Sequence, residues 1–432
     1  MPRQRLTKLV GAVGAAVVVT LALALVLGLG GGGDDGGSGA GGGAPRGASV
    51  PEGGSAFGTP AARTGPVGAA RKGTTLLDAL APLLDPQRAV ARKDDNAVET
   101  GSGTARLRLP LARAAARVFA VGFAGTTASS SFFPRLRERG WGGVVLARGN
   151  FVDPGQLKAL AGDVRAVSRR AGNGVPLVAA VQLGGADSAF PGLPPRAQST
   201  AFTPRAAGQD AARAGRRLRT LGVPMTLAPS ADLASAGGAW EGRGFSDDPG
   251  VVTGAVRAAL RGYKRQRVVA VIGHFPGEGA ASQDPAAGPA TVGLSLDDLR
   301  TRDLEPFAAV AEKADAVGMS AAAYAAFDGV TPATALPEAV ALLRGQGFKG
   351  VVVSADLSAA TIAAGGSIGQ VAVDALKAGC DLLYLPGDAR AQDEAWRAVT
   401  RALRTGELER GRVADALARV AALKRHYGLT GR

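Results

Sequence analysis

The sequence predicts an α/β protein whose folded part is a (β/α)8 barrel of the TIM type, and three observations lead to this prediction. The chain has 432 residues, which is enough for one large barrel and additional segments. From residue 117 onward, short apolar runs alternate with amphipathic helical stretches, and there are eight such runs. The runs lack polar–apolar alternation, which is typical of parallel strands covered on both faces. An open, doubly wound sheet is the alternative.

The amino-terminal part is predicted to lie outside the barrel. Residues 1–8 carry Arg3, Arg5 and Lys8, and residues 9–30 form an uncharged apolar run that is long enough to cross a bilayer as a helix. Positive charge before such a run favours a cytoplasmic amino terminus and an exported remainder. We therefore expect a single-pass signal anchor in the cell membrane. A cleaved signal peptide, and hence a secreted protein, is the alternative.

Two further segments precede the barrel. Residues 31–73 consist mainly of Gly, Ser, Ala and Pro, a composition that cannot bury enough apolar surface to order itself and that predicts a flexible linker. Residues 74–111 contain a short helical pattern at 76–84 and have no assigned function. The barrel itself is predicted to span residues 112–429.

The predicted strands are short and rich in Val, Ala and Leu. They span residues 118–123, 143–147, 176–182, 225–232, 268–274, 316–321, 350–356 and 381–387. Predicted helices between them include residues 156–169, 206–221, 250–265, 296–313, 337–345 and 368–378. A last amphipathic helix at 409–426 is predicted to pack on the outside of the barrel.

Composition excludes several classes of function. The net charge is +14, but the Arg residues are spread along the predicted helices without a basic run interleaved with aromatics, so no nucleic-acid partner is predicted. Cys380 is the only cysteine and lies in an apolar run, which indicates a buried small hydrophobe. His274 and His426 are the only histidines. Neither a metal site nor a cofactor is therefore predicted.

In a barrel of this kind the active site lies at the carboxyl ends of the strands. The candidate site residues are the polar side chains that follow the predicted strands. They are Gln182, Asp232, His274, Ser320, Ser354 and Asp356.

One motif carries a family resemblance. Residues 273–279 read Gly-His-Phe-Pro-Gly-Glu-Gly, and Asp284 follows five residues later. This resembles the Lys-His-Phe-Pro-Gly-His-Gly-x4-Asp-Ser/Thr-His signature of family 3 glycoside hydrolases of the β-N-acetylhexosaminidase type, in their catalytic, amino-terminal domain. Further matches in the family's order lie at 121–125, 142–150, 228–232, 243–249 and 347–354. The resemblance covers roughly residues 112–429 and implies the same barrel.

The resemblance also implies a retaining mechanism, which needs an attacking carboxylate and an acid for the leaving oxygen. The family's nucleophile aligns with Ala355, and the neighbouring Asp356 is expected to point away from the barrel axis, as a cap or ion-pair residue, unless a bulge turns it inward. The family's Asp–His dyad aligns with Asp284 and Ala286. Glu278 is a candidate replacement acid, with a solvated loop carboxylate as the alternative.

Sugar-binding positions are reduced as well. The resemblance places Val181, Gly273 and Ala322 where the family has an Asp, a Lys and a His. The candidate substrate-binding residues that remain are Arg243, His274, Asp232 and Gln182. For Arg243 the alternative is an ion pair with Asp232 or Asp247, and for His274 it is a core histidine.

Three hypotheses for function follow. The first is an exported, membrane-tethered barrel that has lost hydrolysis, or nearly so, and recognises an amino-sugar glycan, a cell-wall fragment or an envelope partner. The second is an active β-N-acetylglucosaminidase with relocated carboxylates, for which Asp356, Asp284 and Glu278 are the weak candidates. The third is a structural envelope scaffold.

Overall fold

The structure of the protein, a computed structural model, describes residues 97–100 and 107–430. The predicted anchor at 9–30, the linker at 31–73 and the helical pattern at 76–84 lie outside these residues. Within the described part of the chain, no single helix has both the length and the apolar character needed to cross a membrane. Two consecutive helices that would meet that criterion together, Leu357–Ala364 and Ile368–Ala378, are bent by 103° relative to each other.

Eight parallel strands form a closed barrel, and each strand pairs with its neighbours in chain order. This confirms the predicted (β/α)8 barrel, and the alternative prediction of an open, doubly wound sheet is wrong. The observed strands fall within or next to the predicted runs and are mostly shorter. They are β1 Phe119–Val121, β2 Gly143–Leu146, β3 Leu177–Ala180, β4 Met225–Thr226, β5 Val269–Phe275, β6 Ala316–Met319, β7 Val351–Asp356 and β8 Leu382–Leu385.

Helices surround the barrel and follow most of the strands. Three long helices begin with an Asp or Thr cap that is followed directly by a proline, as at Asp153 and Pro154. The side chain of each cap accepts a hydrogen bond from at least one free N–H group of the first turn. The helices are α1 Leu111–Arg117, α2 Phe132–Arg139, α3 Pro154–Arg170, α4 Pro204–Leu221, α5 Pro249–Arg265, α6 Leu296–Thr301, α7 Glu305–Ala308, α8 Pro337–Gly345, α9 Leu357–Ala364, α10 Ile368–Ala378, α11 Ala389–Thr405 and α12 Arg410–His426.

Two small strand pairs lie outside the barrel. Ala97–Thr100 and Leu107–Pro110 pair antiparallel, so the segment at 74–111 contains strands that the sequence did not predict. Thr291–Val292 and Ala323–Tyr324 form a short parallel pair in the loops that follow β5 and β6.

The last helix closes one end of the barrel. Val420 and Leu423 of α12, with Tyr427 just after it, are buried in the same apolar cluster as the barrel residues Ala120 and Leu177. The prediction that this helix packs on the outer surface is therefore wrong. It covers the amino-terminal end of the barrel and leaves the carboxyl-terminal end open.

Candidate active site

A cavity of about 410 Å³ lies at the carboxyl ends of the strands, where barrel enzymes hold their active sites. Its wall is contributed by loops after most of the strands, and it combines aromatic, cationic and acidic side chains. The lining includes Arg148, Asp187, Trp240, Arg243, His274, Glu278, Asp284, Ala355, Asp356 and Tyr384. We call this cavity the mouth.

His274, near the end of β5, forms the centre of a charged network. Its Nδ1 lies 2.8 Å from Asp232 Oδ2 and 3.5 Å from Glu278 Oε2. The Trp240 ring packs beside the imidazole, with 5.4 Å between centroids. Burial lowers the pKa of His274, but the charges of Glu278 and Asp232 outweigh burial and raise this pKa to about 9. The imidazole is therefore a cation at neutral pH.

Asp232 is fully buried, and its hydrogen bonds hold His274 and Glu278 in position. Its carboxylate accepts hydrogen bonds from the backbone N–H of His274, from the backbone N–H of Glu278 at 2.7 Å and from the Ser230 hydroxyl at 2.6 Å. Burial acts to raise the pKa of Asp232, but the charge and hydrogen bonds of His274 bring this pKa below its usual value. Asp232 does not line the mouth. The predicted contact of Asp232 with substrate therefore does not fit this geometry, and Asp232 instead positions His274 and Glu278.

Glu278 is buried, with 4% of its surface exposed, although it lies in a loop. Its Oε1 accepts hydrogen bonds from the Ser320 hydroxyl at 2.8 Å and from the Ala321 backbone N–H at 3.1 Å. The Tyr324 hydroxyl donates to the Gly277 carbonyl and holds the same loop. Burial, opposed by the charge of His274, raises the pKa of Glu278. The interpretation of Glu278 as a solvated loop carboxylate is therefore wrong.

Arg243 links two loops at the rim of the mouth. Its Nε and one terminal nitrogen donate to the two oxygens of Asp187 at 3.1 and 3.0 Å, and the other terminal nitrogen donates to Asp284 at 2.7 Å. The guanidinium lies over the Trp240 ring, 4.4 Å from its centroid. The predicted alternative, an ion pair of Arg243 with Asp232 or Asp247, is therefore wrong.

Asp187 was not identified from the sequence. Its only local signal is a carboxylate two residues after the Gly184-Gly185 pair that follows β3.

Asp284 has no proton-carrying partner within its loop. Its Oδ1 accepts the backbone N–H of Ala286 at 2.9 Å, and its Oδ2 is bound by Arg243. Ala286 also lines the mouth, so a methyl group stands where the motif of the resembled family has an imidazole. Asp284 is therefore an ion-paired anion and lacks the partner that would make it half of a proton relay.

The end of β7 contains a bulge. Val353 pairs with Leu382 and Asp356 pairs with Tyr384, so three steps on β7 match two on β8. Both Ala355 and Asp356 line the mouth, which fits the alternative in which a bulge changes the direction of Asp356. The expected capping role is present, because Asp356 Oδ1 accepts the Ser358 N–H at 2.8 Å at the start of α9. Burial raises the pKa of Asp356.

Gln182 is fully buried and faces away from the mouth lining. Its amide donates to the carbonyls of Phe190, Leu193 and Pro194, and its oxygen accepts the Phe190 N–H at 3.0 Å. These bonds occupy the side chain and fix the loop after β3. The predicted contact of Gln182 with substrate does not fit this geometry.

Asp232, His274 and Glu278 offer three donor atoms within 4.8 Å of one another, which is compatible with a metal site by distance alone. The same atoms are engaged with one another and with Ser230, Ser320 and backbone N–H groups. An imidazolium whose Nδ1 donates to a carboxylate cannot also offer that nitrogen to a metal. The arrangement therefore fits a hydrogen-bonded network better than a metal centre.

Comparisons with known proteins agree with this geometry. Residues 128–423 match the family described as the glycosyl hydrolase family 3 N-terminal domain. A β-hexosaminidase of Stenotrophomonas maltophilia is 34% identical over 304 residues, covering 67% of this chain and 89% of the relative. One from Xylella fastidiosa is 33% identical over 282 residues, covering 61% and 82%.

Solved structures agree as well. The glycoside hydrolase family 3 β-N-acetylglucosaminidase from Paenibacillus sp. superposes with a TM-score of 0.71 at 28% identity; the match covers 75% of this chain and 64% of that one. The β-N-acetylhexosaminidase from Beutenbergia cavernae gives 0.67 at 28% identity, covering 73% and 99%.

Proposed function

Since this chain belongs to glycosyl hydrolase family 3, we propose that its barrel binds a glycan containing an N-acetylated amino sugar, with hydrolysis lost or strongly impaired. One observation carries the proposal. Ala355, near the end of β7, lines the mouth, and it is the residue with which the family resemblance aligns the attacking carboxylate. The binding wall around that position is still polar and aromatic.

Binding is supported by the groups that remain in the mouth. Arg243 and the His274 cation are hydrogen-bond donors suited to sugar hydroxyl and acyl oxygens. The Trp240 ring supplies an apolar surface for a sugar face. The similar proteins named above are hexosaminidases and N-acetylglucosaminidases, which favours an amino sugar as the ligand class.

Loss of hydrolysis is supported by the state of the two required groups. A retaining glycosidase places a nucleophile and an acid about 5 Å apart across the bond. Here the dyad position has Ala286 instead of an imidazole, and Asp284 is held by Arg243. Absent general acid–base assistance alone lowers a rate about 10² to 10⁴-fold.

A second candidate is an active glycosidase that attacks with Asp356. The β7 bulge and the place of this carboxyl in the mouth lining favour it. Burial, however, raises the pKa of Asp356, and its Oδ1 caps α9. A group in this state is a weaker nucleophile than an ionised, unengaged carboxylate, so we rank this candidate second.

The experiment that separates these candidates is a hydrolysis assay on the full chain in detergent with p-nitrophenyl N-acetylglucosaminide. We expect no turnover above the blank for the wild type and for Asp356→Asn, Asp284→Asn and Glu278→Gln. Turnover that Asp356→Asn abolishes would establish the active glycosidase.

Calorimetric titration with N-acetylglucosamine and its β-1,4-linked dimer tests binding. We expect binding in the wild type and about a tenfold loss in Arg243→Ala, because a charge-assisted hydrogen bond is removed. Arg300→Ala, at an exposed ion pair in α6, is the matched control. No binding by the wild type would leave the scaffold hypothesis.

We further propose that residues 9–30 tether the exported barrel to the cell membrane through the linker at 31–73. The apolar run and the preceding positive charges support this location. Fractionation of cells expressing the full chain should place it in the membrane pellet. A variant that lacks residues 1–30 should leave the pellet, and its retention there would contradict the proposal.

A further inference from the structure

A second cavity, of about 280 Å³, lies at the opposite end of the barrel from the mouth. Its wall is formed by the residues just before β2 and β3, by the end of α1 and by one face of α12. The lining includes Arg117, Trp141, Val175, Leu417, Lys424 and Arg425. We call this cavity the floor cavity.

The charged residues that line the floor cavity are all cations. Arg117, Lys424 and Arg425 line it, and no Asp or Glu of the described residues does. Neither Arg117 nor Lys424 forms an ion pair within the described part of the chain. The Lys424 ammonium donates to the Val175 carbonyl, and Arg117 donates to the Asn173 carbonyl at 3.3 Å. Arg117 and Lys424 are partly buried and have no anionic partner among the described residues, so an anion that enters the cavity would pair with both.

The remaining wall is apolar. Leu417 and Val420 of α12 face the cavity beside the Trp141 ring, whose edge packs against Phe119. A hydrated inorganic ion would leave this side without a partner. A short hydrocarbon or a small ring attached to the anion would cover it and gain the usual free energy of apolar burial.

We propose that the floor cavity binds a small amphiphilic anion, a phosphate or a carboxylate joined to a short apolar group. The anionic group lies between Arg117 and Lys424, and the apolar group lies against α12. The site is separate from the mouth, because the two cavities share no lining residue.

The test is calorimetric titration of the full chain in detergent at low salt with four probes. They are hexyl phosphate, hexanoate, hexanol and inorganic phosphate. We expect a dissociation constant of about 1 mM or lower for at least one of the two hexyl anions. Hexanol lacks the charge and inorganic phosphate lacks the apolar group, so both should bind at least tenfold more weakly.

Two variants locate the binding. Lys424→Met and Arg117→Met each keep most of the side-chain length and remove the charge. Each should weaken binding about tenfold or more, because each removes a hydrogen bond to a charged group. Lys158→Met, at an exposed lysine of α3, is the matched control and should bind as the wild type does.

The pH dependence gives an independent readout. Burial and the neighbouring Arg117 lower the pKa of Lys424 to about 8, so affinity for the anion should fall as the pH rises through 8. The other charged groups in the wall are Arg117, whose pKa is lowered by burial and by Arg113, and Arg425. Binding of hexanol as tight as that of the hexyl anions, no binding of either anion, or binding unchanged in both variants would each overturn the proposal.

Discussion

The two ends of this barrel treat charge in opposite ways. At the mouth, Arg243 is bound by Asp187 and Asp284, and His274 is bound by Asp232 and Glu278. At the floor, burial and the neighbouring Arg117 lower the pKa of Lys424, and neither cation has a carboxylate partner among the described residues. The difference indicates that charge at the mouth now serves to hold loops in place. Charge at the floor remains available to a ligand.

The largest expected effect comes from restoring the two catalytic groups that the mouth lacks. Ala355→Asp combined with Ala286→His supplies the attacking carboxylate and the proton-carrying imidazole that the family mechanism needs. We expect hydrolysis of p-nitrophenyl N-acetylglucosaminide by the double variant to exceed that of Ala355→Asp alone by about 10² to 10⁴-fold. Initial rates measure this effect.

The isosteric pair Ala355→Asn with Ala286→Gln is the control, since it adds similar volume without the chemistry. Equal rates in the control and the restored variant would show that these two positions do not limit catalysis.

The next effect tests the pairing of charge at the mouth. Asp232→Asn removes the buried anion that accepts from His274, Ser230 and the Glu278 N–H. Removing one partner of a buried ion pair leaves the other uncompensated, so the free energy of unfolding should fall by about 3–5 kcal/mol. Urea unfolding at pH 7 measures it, with the exposed Asp415→Asn as control. A loss similar to that of the control would mean that the network contributes little to stability.

The third prediction concerns a charge beneath the mouth that has no partner. Asp303 is fully buried next to Gly277, and neither carboxylate oxygen has a hydrogen-bond partner among the described residues. Burial, opposed by the charge of Arg302, raises the pKa of Asp303 from 3.8 to about 6. The folded state therefore holds this proton to a higher pH than the unfolded state does. Its contribution to stability is fully present below about pH 4 and is lost as the pH rises to about 6.

From this shift, the wild type should lose about 3 kcal/mol of unfolding free energy over that range. Asp303→Asn should lack this component of the pH dependence, whereas Asp415→Asn should keep it. Urea unfolding at a series of pH values from 4 to 8 measures both. Parallel profiles for Asp303→Asn and the wild type would contradict the raised pKa.

The barrel was predictable from sequence because it depends on apolar runs and amphipathic helices, and each of these is a local pattern. The site was predictable only where a motif marked it, as at His274 and Asp284. The burial of Glu278, the partnership of Asp187 with Arg243 and the cavity contact of Asp356 depend on contacts between distant loops and on a bulge at the end of β7. Propensity and spacing contain no information on these contacts. For the same reason, the unpaired cations of the floor cavity were not predicted.

The smallest expected effect shows how firmly the mouth is held. Asp284→Asn removes one of the two carboxylates on Arg243, while Asp187 keeps its two hydrogen bonds to the guanidinium. Asp284 is 40% exposed, and ion pairs in contact with water contribute only about 0.2–1 kcal/mol. We expect the free energy of unfolding to fall by less than about 1 kcal/mol, and by less still at high salt.

Urea unfolding at two salt concentrations measures this change, and Asp297→Asn at an exposed pair in α6 is the control. A loss above about 2 kcal/mol would place Asp284 among the structural charges, with Asp232. A small loss means that a ligand hydroxyl or carbonyl can replace Asp284 on Arg243 at little cost. The mouth would then be closed by a pair that a sugar can displace, which binding requires and a rigid scaffold does not.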